Sequence, residues 1–306
     1  MAWNMLHTVH KSSLGTSVVT ALVVLACGSA TKENAEPLPP PPPPPSQQVA
    51  PASAAPQAVA EKPKATEEAA KAPEHHAPHW TYAGDTGVTH WGDLSSEWAT
   101  CKSGQAQSPI DLITKNAVLD AKLPAFEFKY GKLPLSIFNN GHTVQVPNDK
   151  DYTIKVNGQL YKLAQFHLHS PSEHLVDGKP LDFELHLVHK SDQGAITVVG
   201  VLFKKGKENK ALAPVITNAP AELATEAKPV ANVDVDLAQL LPQKHGYYSY
   251  TGSLTTPPCT EGVNWIVMQS FPEISEAQIA KFREVTHGDT VRPAQPLGAR
   301  KVSRSK

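Results

Sequence analysis

Residues 165–189 read QFHLHSPSEHLVDGKPLDFELHLVH, and their alternation sets the fold. Drawn as an extended strand, QFHLH places Gln165, His167 and His169 on one face and Phe166 and Leu168 on the other. FELHLVH repeats the pattern: Glu184, His186 and Val188 share one face, Phe183, Leu185 and Leu187 the opposite one. VDGKP between them supplies a turn, so the two strands are expected to be antiparallel neighbours. Three imidazoles then converge on one side while the apolar side covers a core. Three neutral ring nitrogens with a fourth position free suit a catalytic zinc. Gln165 and Glu184 each stand two residues from such a histidine on the same face, placed to fix its ring. Two other readings compete at this point. A lone His-x-His in a sheet is commonly hydrogen-bonded polar decoration. Glu173, with three residues between it and His169, fits part of a cupin metal site, although the upstream glycine of that pattern is missing and Tyr161 stands in its place.

The same rhythm extends outward. LPLSIFNNGHTVQV, YTIKVNGQLYKLAQ, AITVVGVLF and NWIVMQSF are short alternating runs broken by Gly, Pro, Asn and Asp. They predict a large antiparallel or mixed β-sheet with few helices. One helix is expected over 275–286, SEAQIAKFREVT, with Ser275 as N-cap and Gln278 three residues on. The folded part runs over 79–298, and the basic end ARKVSRSK, 299–306, is expected to fray. A formal net charge of -1 over 306 residues gives no broad attraction to nucleic acid.

Two segments precede the domain. Residues 1–27 end in the apolar run SVVTALVVLAC, too short for a bilayer span but suited to a secretory signal. VLAC also resembles a lipoprotein cleavage box, in which Cys27 would carry lipid and attach the protein to a membrane; simple cleavage near Ala26 to Ala30 is the alternative. Residues 28–78 form a spacer in which Pro37 to Pro73 holds 12 of the 28 prolines, a composition that cannot bury a core. The histidine-rich HHAPH ends this linker. Both readings of Cys27 export the protein, to the periplasm or to an outer-membrane anchorage. Cys101 and Cys259 remain, either paired as an oxidising compartment favours or as two separate buried thiols.

Further stretches carry a family resemblance. HWTYAGDTGVTHW (79–91), GQAQSPIDL (104–112), NNGH (139–142), SLTTPPC (253–259) and RPAQPL (292–297), taken with QFHLHSPSEH and ELHLVH, resemble an α-class carbonic anhydrase in the family's own order. The resemblance implies a predominantly β, α+β domain built on a mainly antiparallel twisted sheet of about ten strands, with short helices and a conical zinc cleft. It implies zinc as cofactor, His167, His169 and His186 as ligands, and reversible hydration of carbon dioxide to bicarbonate by zinc-bound hydroxide. Thr255 matches the residue that receives the hydroxide's proton and donates to the buried Glu173, and Thr256 lines the cavity beside it. His142 matches the proton shuttle, with Tyr82 and Asn140 ordering its water chain. Val188, Val198, Leu254 and Trp265 match the apolar wall where carbon dioxide rests. The resemblance also implies the Cys101–Cys259 bridge and a side esterase activity, and it leaves monomer and homodimer open. His174 and His189 are expected to be structural, His189 on the face away from the metal. Gln145 departs from the asparagine common in the family. Thr290 departs likewise, at a position that serves through its backbone carbonyl toward His169. A non-enzymatic, carbonic-anhydrase-like binding module is the competing function, and the intact histidine triad weighs against it.

Overall fold

Burial alternates along Lys132–Asn139, whereas Phe183–Lys190 is buried on both faces. The computed structural model describes residues 78–306, and the 11-residue strand Gln159–His169 and the eight-residue strand Phe183–Lys190 lie at its centre. Phe166, Leu168, Leu185 and Leu187 are fully buried in one apolar cluster, while Val188, Val198 and Trp265 belong to a second. Burying such side chains contributes about 1.5–3 kcal/mol each, so the pleat dictates which face the histidines take.

The two strands belong to a 13-stranded sheet. From one edge the order is Lys228–Asp236, Lys132–Asn139, Val144–Pro147, Gln159–His169, Phe183–Lys190, Ile196–Lys205, Glu261–Met268 and Tyr247–Ser253, followed by Ser303–Arg304 and Val118–Leu119. Pairing along this path is antiparallel except between Ile196–Lys205 and Glu261–Met268 and between Ser303–Arg304 and Val118–Leu119. The sheet exceeds the expected ten strands because two-residue strands, such as Glu273–Ile274, are too short to display a period.

Three local expectations meet different outcomes. The helix forms over Glu276–Thr286, with a complete Ser275–Gln278 capping box and His287 in the left-handed region at its end. VDGKP is a turn, yet it makes a hairpin of its own: Leu175–Val176 pairs with Lys179–Pro180, and the former also lies parallel to Asp111–Leu112. Asp177 and Gly178 at its tip both have positive φ, 51° and 80°, as a two-residue hairpin turn requires. The tail 299–306 does not fray. Ser303–Arg304 adds to the sheet beside Tyr248–Ser249, Val302 is buried, and the Ser305 hydroxyl accepts the Tyr247 N–H at 2.9 Å. Lys301 and Lys306 stay exposed while Val302 and Ser305 are buried, so apolar and hydroxyl side chains anchor a segment whose charge suggests a solvated end.

Cys101 and Cys259 form a disulfide across a sequence separation of 158. The expected leader, Cys27 and the proline-rich spacer, through residue 77, lie outside the described residues. Among the described residues no helix is long and apolar enough to cross a membrane.

Candidate metal centre and cleft

Register brings the histidines together. His186 lies opposite His167, and Glu184 opposite His169, in the antiparallel pair. Ring centroids stand 5.0 Å apart for His167 and His169, 5.2 Å for His167 and His186, and 4.6 Å for His169 and His186. One nitrogen from each ring lies within 4.8 Å of the other two.

The opposite edge of each ring is tied to an acceptor. His167 Nδ1 donates to Gln165 Oε1 at 2.8 Å, His169 Nδ1 to the Thr290 carbonyl at 2.5 Å, and His186 Nε2 to Glu184 Oε1 at 2.9 Å. An acceptor on one nitrogen demands a hydrogen there, which leaves the other nitrogen unprotonated. The lone pairs turned inward are therefore Nε2 of His167, Nε2 of His169 and Nδ1 of His186. Burial, with the neighbouring histidines, holds His167 well below the usual histidine range, and burial likewise lowers His169. His169 Nε2 is buried with no hydrogen-bond partner among the described residues. A buried orphan nitrogen of this kind costs about 1–3 kcal/mol unless something binds it. Three neutral nitrogen donors on rigid strands, one of them orphaned, fit a zinc ion.

A second histidine–carboxylate group, His174, Glu184 and His186, is compact enough for a metal as well. Its atoms are already satisfied. Glu184 accepts the backbone N–H of Glu173 and of His174 at 2.8 and 2.9 Å and the His174 Nδ1–H at 2.7 Å, besides His186. Burial alone would raise its pKa, but His174 and His186 and their N–H bonds outweigh burial and hold the carboxyl well below its usual range. His174 Nε2 continues to the Tyr250 hydroxyl at 2.7 Å, and Tyr250 to Ser108 at 2.9 Å. This network braces the metal ligands from behind.

Glu173 is buried, and its Oε1 accepts the Arg292 backbone N–H at 2.9 Å. Oε2 has no hydrogen-bond partner among the described residues and lies 3.6 Å from His169 Nε2 and 3.9 Å from His186 Nδ1. The expected hydrogen bond from Thr255 to Glu173 is thus not formed. Thr255 does line the cleft, a space of about 220 Å³, together with Thr256, Val188, Val198, Leu254 and Trp265. Lys190 and Ile196 line it too. They sit opposite each other in register, and Lys190 shares the face of Val188 two residues away, so period two already pointed to it.

The His142 side chain is not the exposed ring expected. It is half-buried and stacks on Trp80, with centroids 3.5 Å apart and planes 6° from parallel. Burial, with His79 at 6.2 Å, pushes its pKa down to about 4. Asn140 spends its carbonyl inside the turn, accepting the N–H of His142 and of Thr143 at 2.9 Å each. The Tyr82 hydroxyl is buried without a protein partner among the described residues, and burial, then Glu173, raises its pKa well above 10. His189 turns away from the metal face and receives the Tyr130 hydroxyl on Nε2 at 2.6 Å. Sequence alone assigns Trp80, Tyr250 and Arg292 no role, because their partners His142, His174 and Gln107 stand far away along the chain.

The family model described as eukaryotic-type carbonic anhydrase matches residues 86–306. A carbonic anhydrase of Klebsiella pneumoniae is 41% identical over 228 residues, covering 74% of this chain and 91% of that one. One from Nostoc sp. is 41% identical over 226 residues, covering 73% of this chain and 85% of that one. The solved α-carbonic anhydrase of Thermovibrio ammonificans, in complex with the inhibitor sulfanilamide, superposes with a TM-score of 0.70 at 45% identity, covering 74% of this chain and 99% of that one.

Proposed function

The chain belongs to the eukaryotic-type, or α, carbonic anhydrase family of lyases, and from that membership we propose that it hydrates carbon dioxide reversibly on zinc held by His167, His169 and His186. The observation that carries the reading is the inward convergence of three unprotonated ring nitrogens, each fixed from behind by Gln165, Thr290 or Glu184. Zinc bound there supplies acidity, lowering the pKa of a coordinated water to about 7, the value known for carbonic anhydrase itself.

The protein does the rest. Val188, Val198, Leu254 and Trp265 give carbon dioxide a dry wall beside the metal, which an apolar substrate needs in place of a charge. Thr255 orients the attacking oxygen by accepting its hydrogen. That role requires the Thr255 O–H to turn toward Glu173 Oε2, the carboxylate oxygen left without a donor. His142 then carries the released proton to solvent, past Tyr82 and Asn140. While stacked on Trp80, with a pKa of about 4, it holds a proton from a donor of pKa near 7 about one time in a thousand. The ring must therefore swing off Trp80 into water to act. Activated esters are side substrates of the same chemistry.

The Cys101–Cys259 disulfide supports an exported location, and with it the leader, the spacer and a lipid or free terminus at Cys27; mass spectrometry of the mature N-terminus distinguishes the last two. The test of the function is stopped-flow hydration with zinc measured on the same sample. We expect activity that tracks zinc content, disappears on chelation, and drops at least a hundredfold in His169→Ala; undiminished hydration by that variant would falsify the ligand assignment.

A further inference from the structure

The turn that presents His142 is anchored by a residue that touches neither metal nor cleft. Asn139 ends the strand Lys132–Asn139 and is buried. Its Oδ1 accepts the Gly141 N–H at 2.9 Å. Its Nδ2 donates to the Pro220 carbonyl at 3.3 Å and to the Val285 carbonyl at 3.1 Å. Its own carbonyl accepts the Ala224 N–H at 2.8 Å. Every polar atom of the side chain is engaged, and three separate segments meet on it. One is the turn itself, where Gly141 has φ +86°. The second is the loop around Pro220. The third is the last turn of the Glu276–Thr286 helix, which leads on to Thr290 and Arg292, the residues whose backbone holds His169 and Glu173. The other end of the turn is also clamped: the Thr143 hydroxyl donates to the Leu168 carbonyl, between two ligand histidines, at 2.5 Å.

We propose that Asn139 is a positioning residue for proton release, holding the Gly141–His142 turn at a fixed place relative to the segments that orient the metal ligands. The role rests on the reading of His142 as the proton carrier. Through the Gly141 bond Asn139 fixes the backbone from which the His142 ring swings; through Val285 and Pro220 it fixes that backbone to the body of the domain. Loosening the turn lets the ring drift into solvent, where it is easier to protonate but farther from the proton it must collect.

Two substitutions at this position separate the two ties. Asn139→Ala removes both. In dilute, non-transferring buffer its kcat is expected to fall about tenfold, to the level of His142→Ala, with kcat/KM within about threefold of wild type and kcat restored by added imidazole. The double variant with His142→Ala should be no slower than His142→Ala alone, since both act on one path. In the metal-free protein, NMR titration of the His142 ring should move up from about 4 toward the ordinary 6.5. Asn139→Asp keeps an oxygen for the Gly141 N–H but sets a buried carboxylate oxygen against the Pro220 and Val285 carbonyls in place of the amide donor, so it cuts the turn loose from the body of the domain. It too should melt at a lower temperature and lose kcat in dilute buffer, with kcat/KM kept and kcat restored by imidazole. A kcat in either variant equal to wild type, or a double variant slower than His142→Ala, overturns the role of Asn139. A wild-type enzyme indifferent to His142→Ala overturns the proton-release reading instead.

Discussion

A histidine's chemistry is set by what touches its ring, and two histidines on this chain show how far apart those settings fall. His169 is tied at Nδ1 and orphaned at Nε2, an arrangement that leaves Nε2 a lone pair and no proton. His142 is covered by Trp80 and pushed to about 4 by burial and by His79. Trp80→Ala uncovers that ring while the turn beneath it stays bonded through Asn139 and Asn140. Because desolvation is the larger cause of the shift, its removal must raise the pKa; NMR titration is expected to place His142 between 5.5 and 6.5, roughly the ordinary histidine range. A more basic ring on an unmoved turn should also speed turnover in dilute buffer, about two- to fivefold on a shallow dependence of rate on pKa. An unchanged titration would show that Trp80 is not what suppresses the charge.

At the scale of elements, period two did most of the work. Phe166 and Leu168 had to face the core, so His167 and His169 had to face the cleft, and the turn between the strands made them antiparallel neighbours. The register that sets His167 opposite His186 did not follow, because VDGKP closes a hairpin of its own. The period failed where the strand itself breaks it. A register shift sets Gln165 opposite Val188 but Leu163 opposite His189, leaving Ala164 as an extra residue. That bulge lets Tyr161 and Leu163 join the core from positions that strict alternation assigns to the cleft face. The two-residue strands and the end strand Ser303–Arg304 were illegible because such short segments form only where neighbours offer an edge. The stacking of His142 and the absent Thr255–Glu173 bond depend on contacts between segments distant in sequence, which no local pattern encodes. Helix capping, by contrast, is wholly local, and Ser275 with Gln278 was readable. Ser275→Ala should cost about 1 kcal/mol of stability, seen as a lower urea midpoint. Zinc affinity should not change, because the cap lies at the helix end remote from Thr290.

The whole molecule carries two global constraints, one on acid stability and one on the unfolded chain. His189 is fully buried beside Tyr130, and burial pushes its pKa down to about 3. The unfolded chain binds a proton there near pH 6.5, so between pH 6.5 and pH 3 it binds more protons than the folded one, and stability must fall as pH falls through that window. The full effect is on the order of 5 kcal/mol, and urea midpoints measured from pH 7 to pH 4 should decline, with a shallower slope in His189→Gln. The second constraint is the disulfide. Cys259 follows the Thr255–Thr256 segment and accepts the Gln107 amide on its carbonyl at 3.1 Å, while the Cys101 carbonyl accepts Arg292 at 2.9 Å. The bridge thus joins the cleft-lining loop to the segment that surrounds the buried Arg292. Closing a loop across a separation of 158 residues should stabilise the fold by about 5 kcal/mol, chiefly by restricting the unfolded chain. For a domain of this size that corresponds to a fall of roughly 10–20 °C in melting temperature on reduction. The Cys101→Ser, Cys259→Ser double variant should melt where the reduced wild type does. Below that temperature, zinc-loaded protein should keep hydration activity within about threefold, because the metal ligands are braced by Glu184, Gln165 and Thr290 and not by the bridge. A melting temperature indifferent to reductant would refute the stabilising role; activity lost well below the melting transition would show instead that the bridge holds Thr255 in place.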